Sequence, residues 1–232
     1  MKRFYKLAAV SAVETGFSVT LDGRGVRTPE GTPLVLPNAA LAEAVAAEWL
    51  AQGEKIVPQT MPLTQLASTA LDRVRGKRAP VLAHLLNYVG TDLLCYRAAS
   101  PRDLVERQER IWQPLLDWAA TSLEAALPVT EGLSPIEPPP AAVEALRRKI
   151  ETYDDWALTA LQSAVAALGS LVLGLAVAER RLTAEEAFAA SQLDETYQIE
   201  FWGDDEEAIK RREVLRNDVA SAGRFIELCF QS

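Results

Sequence analysis

Leu158 to Ala178 reads L-T-A-L-Q-S-A-V-A-A-L-G-S-L-V-L-G-L-A-V-A, a run of 21 residues without a charge. As one helix it would extend about 30 Å, the thickness of a bilayer core. Its composition points elsewhere. Alanine dominates, Thr159, Gln162, Ser163 and Ser170 are polar, and Gly169 and Gly174 are small. Trp156 stands at one end, but no cluster of aromatic anchors flanks the run. A helix that is small and apolar all round fits the centre of a helical bundle, where small residues let neighbouring helices approach closely. The expectation is a buried central helix within 153–179, with no stable membrane insertion.

The residues on either side support a bundle. From Pro80 onward the periodicity predicts helices near 80–96, 101–126, 139–151, 153–179, 183–202 and 204–229. Ser100-Pro-Arg-Asp103 places a cap and a proline at a helix start, and Thr183-Ala-Glu-Glu186 is a capping-box pattern. Pro114 should kink or divide its helix. Pro128 to Pro140 holds five prolines and reads as a stiff loop, because the helical signal resumes on both sides.

Toward the N-terminus the period changes to that of strands. Arg3–Val10 and Gly16–Leu21 are strand-like, joined by a turn around Glu14 to Gly16. Asp22-Gly23 is hairpin chemistry, and Val26–Thr28 and Pro33–Pro37 are short strand candidates. Two helices follow, Ala39–Gln52 and Leu63–Val74, and the basic run Arg73–Arg78 marks a boundary. The predicted fold is therefore α+β: a small β-rich N-terminal domain with two helices at 1–78, then an all-α helical bundle domain at 79–232.

Composition narrows the function. With 24 basic and 32 acidic residues the net charge is −8, opposite to what a nucleic-acid surface requires. Cys95 and Cys229 are too few for a disulfide scaffold and sit among apolar neighbours, as reduced thiols do. His84 is the sole histidine, so neither a zinc pattern nor a serine–histidine–acid triad is supported. No P-loop or dinucleotide loop is present. No catalytic residue, metal ligand or cofactor-binding residue is assigned. A hydrolase or transferase using carboxylates in an interdomain cleft is the alternative class.

What remains is surface. Between Asp194 and Glu207 seven carboxylates are interleaved with Tyr197, Phe201 and Trp202. Aromatics are enriched at protein interfaces, whereas charge alone usually marks a solvated face. Leu193, Tyr197 and Phe201 form a core stripe at helical spacing. Glu195, Gln198 and Trp202 share a neighbouring face, which is either a contact site or the rim of the core. Tyr88, Asp92 and Cys95 share another face, where Asp92 either satisfies buried backbone groups or lines a groove.

Several longer motifs now join these residues. They are Arg3-Phe-Tyr-Lys6, L-D-G-R-x-V-R-T-P-x-G-x-P-L-x-L-P from Leu21 to Pro37, A-E-W at Ala47 to Trp49, and M-P-L-T-x-L-A-x-T-A-L-D from Met61 to Asp72. Y-x-x-T-D-L-L-C-Y-R from Tyr88 to Arg97, Q-x-x-x-W-x-P-L-L-D-W from Gln108 to Trp118 and L-D-E-x-Y-Q-I-E-x-W-G from Leu193 to Gly203 complete the set. In this order they resemble the "Atp-twelve" family, assembly chaperones that act on the α subunit of the F-type ATP synthase.

The resemblance implies a non-enzymatic protein that holds the free α subunit and shields its β-subunit-facing surface until the α/β ring assembles. It implies partner-binding roles for Asp92, Asp194, Glu195, Gln198 and Trp202, and a structural role for Trp49. Beyond Gly203 the chain departs from the V-E-x-x-H-D segment of many members, and no role is carried over there. Asp204 to Glu207 reads instead as a charge cluster at a helix start. The protein is expected to act as a monomer, in a bacterial cytoplasm or, as a processed organellar form, in the mitochondrial matrix.

Overall fold

A computed structural model describes residues 1–132 and 134–231. Its internal contacts group the chain into two compact units: Met1–Arg78 with Asp155–Ala160 and the residues from Arg224 onward, and Ala79–Asp154 with Leu161–Gly223.

In the first unit, β1 (Ala8–Val13) pairs antiparallel with β2 (Gly16–Leu21), from Ala8↔Leu21 to Val13↔Gly16. β2 also pairs with β3 (Arg24–Gly25) and with β4 (Val35–Leu36). Gly16 sits at φ +144°, and a Cβ there would lie 2.3 Å from the Leu36 carbonyl oxygen. Only glycine lets β4 approach.

Sequence periodicity put the first strand at Arg3–Val10, but Arg3 to Leu7 stays outside the ladder. Its polar groups are satisfied by side chains and by single backbone bonds from the Arg3 amide to the Glu54 carbonyl and from the Asp22 amide to the Leu7 carbonyl. The Asp22 carboxylate accepts from the Lys6 and Leu7 amides at 2.9–3.2 Å. The Arg3 guanidinium donates to the carbonyls of Tyr5, Lys6, Leu50 and Gln52.

α1 (Ala39–Leu50) starts at Asn38, whose Oδ1 accepts from the Leu41 amide at 2.9 Å. It buries Leu41, Ala42, Val45 and Ala46 and packs on β1 and β2. Glu48 on this helix accepts from the Leu63 and Thr64 amides at 2.7 and 2.8 Å, holding the start of α2 (Pro62–Thr69). Burial raises the Glu48 pKa, while these hydrogen bonds oppose the shift. Trp49 is half-buried, edge-on to Tyr5 at 5.7 Å, and its carbonyl accepts from the Tyr5 hydroxyl at 2.7 Å. α2 runs into a π-helical turn over Ala70–Val74.

The remaining helices are α3 (Arg78–Asn87), α4 (Arg102–Ser122), α5 (Pro140–Glu151), α6 (Asp155–Leu168), α7 (Leu171–Ala178), α8 (Ala184–Ser191), α9 (Leu193–Trp202) and α10 (Glu206–Cys229). The short strands β5 (Tyr96–Arg97) and β6 (Thr130–Glu131) pair in parallel. Thus a small sheet region precedes a mostly helical remainder, the predicted α+β class.

Boundaries differ from the periodic reading where backbone chemistry intervenes. The helix expected at 80–96 stops at Asn87 and gives way to a 3-10 turn at Tyr88–Gly90; Asp92 is then extended (φ −61°, ψ 125°) and caps a second one at Leu93–Cys95. Pro114 lies inside α4 without dividing it. The helix expected at 183–202 divides at Gln192 (φ −99°, ψ 17°).

The long uncharged run is also two helices. Gly169 adopts φ +66°, and Ser170 is extended, its Oγ accepting from the Leu173 amide at 3.0 Å. Consequently no helix among the described residues is long and apolar enough to cross a membrane. Every residue of α7 is buried.

Gly174 permits the return packing of α7 on α6: a Cβ there would lie 2.4 Å from Val165 Cγ2 and 3.3 Å from Leu161 Cδ1. Gly174→Ala is therefore expected to destabilise the fold by about 1–3 kcal/mol through overpacking. Urea unfolding should show a lower midpoint at unchanged m value, and an unchanged midpoint would refute the close approach.

Candidate partner-binding site

α4 grips α8 and α9 through a row of polar contacts. Gln108 is buried; its Oε1 accepts from the Ala98 amide at 2.8 Å and its Nε2 donates to Asp194 Oδ1 at 2.7 Å. One turn on, the Trp112 indole donates to the Ala190 carbonyl at 2.9 Å, and the Arg97 guanidinium lies 5.3 Å from that ring's centre. The Tyr197 hydroxyl donates to Asp103 at 2.8–2.9 Å. Arg107 lies 5.1 Å from the centre of the Tyr197 ring and 2.8 Å from Glu200. The neighbouring stretches around Arg97 and Gln108 thus meet the distant one around Asp194 in one network.

The end of α9 stands clear of this support. Leu193 and Tyr197 are buried, as the stripe predicts, but Phe201 is 61% exposed and Trp202 80% exposed. The third stripe position is therefore a surface residue, and Trp202 does not close the core. Gly203 at φ +77° ends the helix. The three rings form a ladder, with Phe201 4.9 Å from Tyr197 and 6.3 Å from Trp202. Its inner rung is fixed by Asp103 and Arg107, so the outer rungs are presented on a braced support.

Charge ties α9 to α10. Arg211 pairs with Glu195 at 2.7 Å, and Arg212 reaches Asp204 at 3.4 Å and the Thr196 hydroxyl at 3.3 Å. Asp205 Oδ1 accepts from the Glu207 and Ala208 amides at 2.9 Å, an N-cap in the position where the charge cluster was expected. Ile209 and Val214 of α10 are exposed.

Of the residues expected to bind a partner, Trp202 and Gln198 are exposed, and Glu195 is half-buried and engaged with Arg211. Asp194 is half-buried against Gln108; burial raises its pKa, opposed by that hydrogen bond.

Asp92 requires a correction. It is fully buried and cannot touch a partner in this fold. Its carboxylate accepts from Ser170 Oγ at 2.7 Å and from the Leu94 and Val172 amides at 3.1 Å each. Burial pushes this carboxyl above the usual range, and the same surroundings push the Cys95 thiol up to about 12. Asp92 therefore serves buried backbone groups, one of the two roles its helical face left open.

Sequence periodicity missed Phe201, Arg211 and Arg212. No local signal marked the arginines: each stands 16 residues from its partner Glu195 or Thr196, a separation that no helical spacing rule connects.

Fold and surface together define a mostly helical protein that exposes two aromatic rings at the end of a helix braced by α4 and α10. Residues 2–120 match the ATP12 chaperone protein family. The chain is 27% identical over 234 residues to the mitochondrial protein atp12 of Schizosaccharomyces pombe, covering 95% of this chain and 80% of that protein. It resembles the crystal structure of Atp12 from Paracoccus denitrificans with a TM-score of 0.93 and 43% identity, over 98% of each chain. An aspartate-to-lysine mutant of Atp12p from P. denitrificans gives a TM-score of 0.93 and 42% identity, over 98% of this chain and 97% of the mutant. The chain belongs to the ATP12 chaperone family. It is an ATP synthase assembly chaperone, not an enzyme.

Asp92→Asn should lower stability by about 1–3 kcal/mol, since an amide nitrogen cannot accept from the donors now satisfied. Chemical denaturation measures this; wild-type stability in the variant would refute the buried capping role.

Proposed function

We propose that this chain binds the free α subunit of the ATP synthase catalytic sector and shields its β-subunit-facing surface until the α/β ring assembles. The observation that carries the reading is the exposed Phe201–Trp202 pair on its braced ladder. A subunit awaiting its neighbour exposes apolar surface rimmed by polar groups, and a rigid aromatic anchor covers such surface at low entropic cost. Trp202 and Gln198 make the contact, Glu195 lies at its margin, and Asp194 holds the helix in place. Asp92 and Trp49 act through the scaffold. The protein works as a monomer, in a bacterial cytoplasm or, in a processed organellar form, in the mitochondrial matrix.

The charge near the tip speeds encounter more than it tightens the complex. Its acids also work inward: Glu195 is already paired, so a lysine there would oppose Arg211 and loosen the bond between α9 and α10.

Co-expression with the α and β subunits, followed by purification of the chaperone, tests the partner; retention of β in place of α would overturn the assignment. Trp202→Ser is expected to weaken α-subunit binding about thirtyfold while leaving the melting temperature unchanged, because the ring is already in water. Glu195→Lys should also weaken capture. Adding Arg211→Glu in that background restores the pair with reversed sign and should recover most of the loss. Failure of that rescue would mean Glu195 touches the client directly.

A further inference from the structure

The motif Arg3-Phe-Tyr-Lys6 takes no part in the tip, yet the fold invests heavily in it. Backbone bonds from the Arg3 amide to Glu54 and from the Ile56 amide to the Met1 carbonyl fix the segment on one side. The four Arg3 guanidinium bonds, the Asp22 carboxylate and the Tyr5 hydroxyl fix it on the other. A segment held this firmly would be expected to bury its apolar residues. Only Tyr5 is buried, whereas Phe4 is 66% and Leu7 58% exposed; Leu50, whose carbonyl accepts from Arg3, and Val57, next to Ile56, are exposed too.

The charge around these side chains has the opposite sign to the protein as a whole. Lys2, Lys6 and Lys55 are exposed, and none belongs to an ion pair among the described residues. With Arg3 these lysines outnumber the acids beside them, Asp22 next to Lys6 and Arg3 and Glu54 next to Lys2 and Lys55, and the Asp22 carboxylate already accepts from the Lys6 and Leu7 amides. At physiological ionic strength charges separated by more than about 8 Å are screened, so this local excess decides what approaches, not the net charge of −8.

We propose that this N-terminal patch is a peripheral contact for an anionic lipid surface. Phe4 and Leu7 would enter the headgroup boundary, with Lys2, Lys6 and Lys55 on lipid phosphates. Lysine favours this partner over a protein: it is depleted at protein interfaces, while its long stem and compact charge suit the boundary between apolar chains and anionic headgroups. The contact is reversible and inserts no helix. It is independent of the α-subunit reading, since it uses none of the tip residues.

The test is sedimentation of the full chain with phosphatidylcholine vesicles, with and without an equal part of phosphatidylglycerol. Binding is expected only to the anionic vesicles, and should decline as salt is raised. Phe4→Ser with Leu7→Ser should reduce partitioning at least about tenfold. Lys2→Ala with Lys6→Ala should reduce it about twentyfold. Both double variants should keep the wild-type melting temperature, because the altered side chains are exposed. Absence of binding to anionic vesicles at low salt overturns the proposal, as does binding that the variants leave unchanged. Binding of a polyglutamate peptide at this patch without vesicle binding would assign it to an acidic protein and overturn it equally.

Discussion

The carboxylate of Asp92 joins two places where the chain would otherwise leave backbone donors unpaired inside the protein. It caps the turn at Leu93–Cys95 and, with Ser170, the first turn of α7. α7 is buried on every side, so its free amides have no water to turn to. The desolvation that raises this carboxyl's pKa is the cost of placing it there, and the hydrogen bonds it accepts oppose that cost without cancelling it. α7 packs on α4 and α8, and both of these pack on α9. The exposed aromatic tip therefore rests, through successive layers, on one buried acid.

Most other charge in this region is spent on geometry. Glu195, Glu200 and Asp204 each have an arginine partner, and Asp205 caps α10. Exposed pairs of this kind contribute about 0–1 kcal/mol each, so no single one holds α9 against α10. The Arg212–Asp204 pair, which ties α10 to the connection after α9, is less exposed than the Arg211–Glu195 pair between the helices and is screened less. Beside these paired charges stands a pair of large aromatic rings in water, which is costly alone and favourable once covered.

Much of the architecture was legible because it follows local rules. The β1–β2 hairpin, the capping box at Thr183 with both its bonds, and a break between sheet and helices all follow from turn chemistry and period. The aromatic stretch drew attention for a sound reason, and Trp202 stands where a binding residue could act. Phe201 was misplaced because periodicity assumes that a stripe stays covered to the last turn. Asp92 was grouped with surface candidates because a motif records that a residue matters, not whether it faces water or the core.

By itself the sequence determined the α+β class, the capping box at Thr183 and the small, uncharged character of the central helices, since each depends on residues close together in the chain; the cap expected at Ser100 is absent, and α4 starts at Pro101 without a side-chain cap. It also carried the family motifs, and with them the chaperone class. Only the tertiary structure decided that the uncharged run breaks at Gly169 and Ser170, that Asp92 is the acid satisfying that break, and that Arg211 and Arg212 neutralise α9. It also decided that the first unit recruits Asp155–Ala160 and the residues from Arg224 onward. These outcomes depend on which donors find an acceptor after distant segments meet. That is settled by the desolvation of particular atoms, which spacing along a chain does not encode.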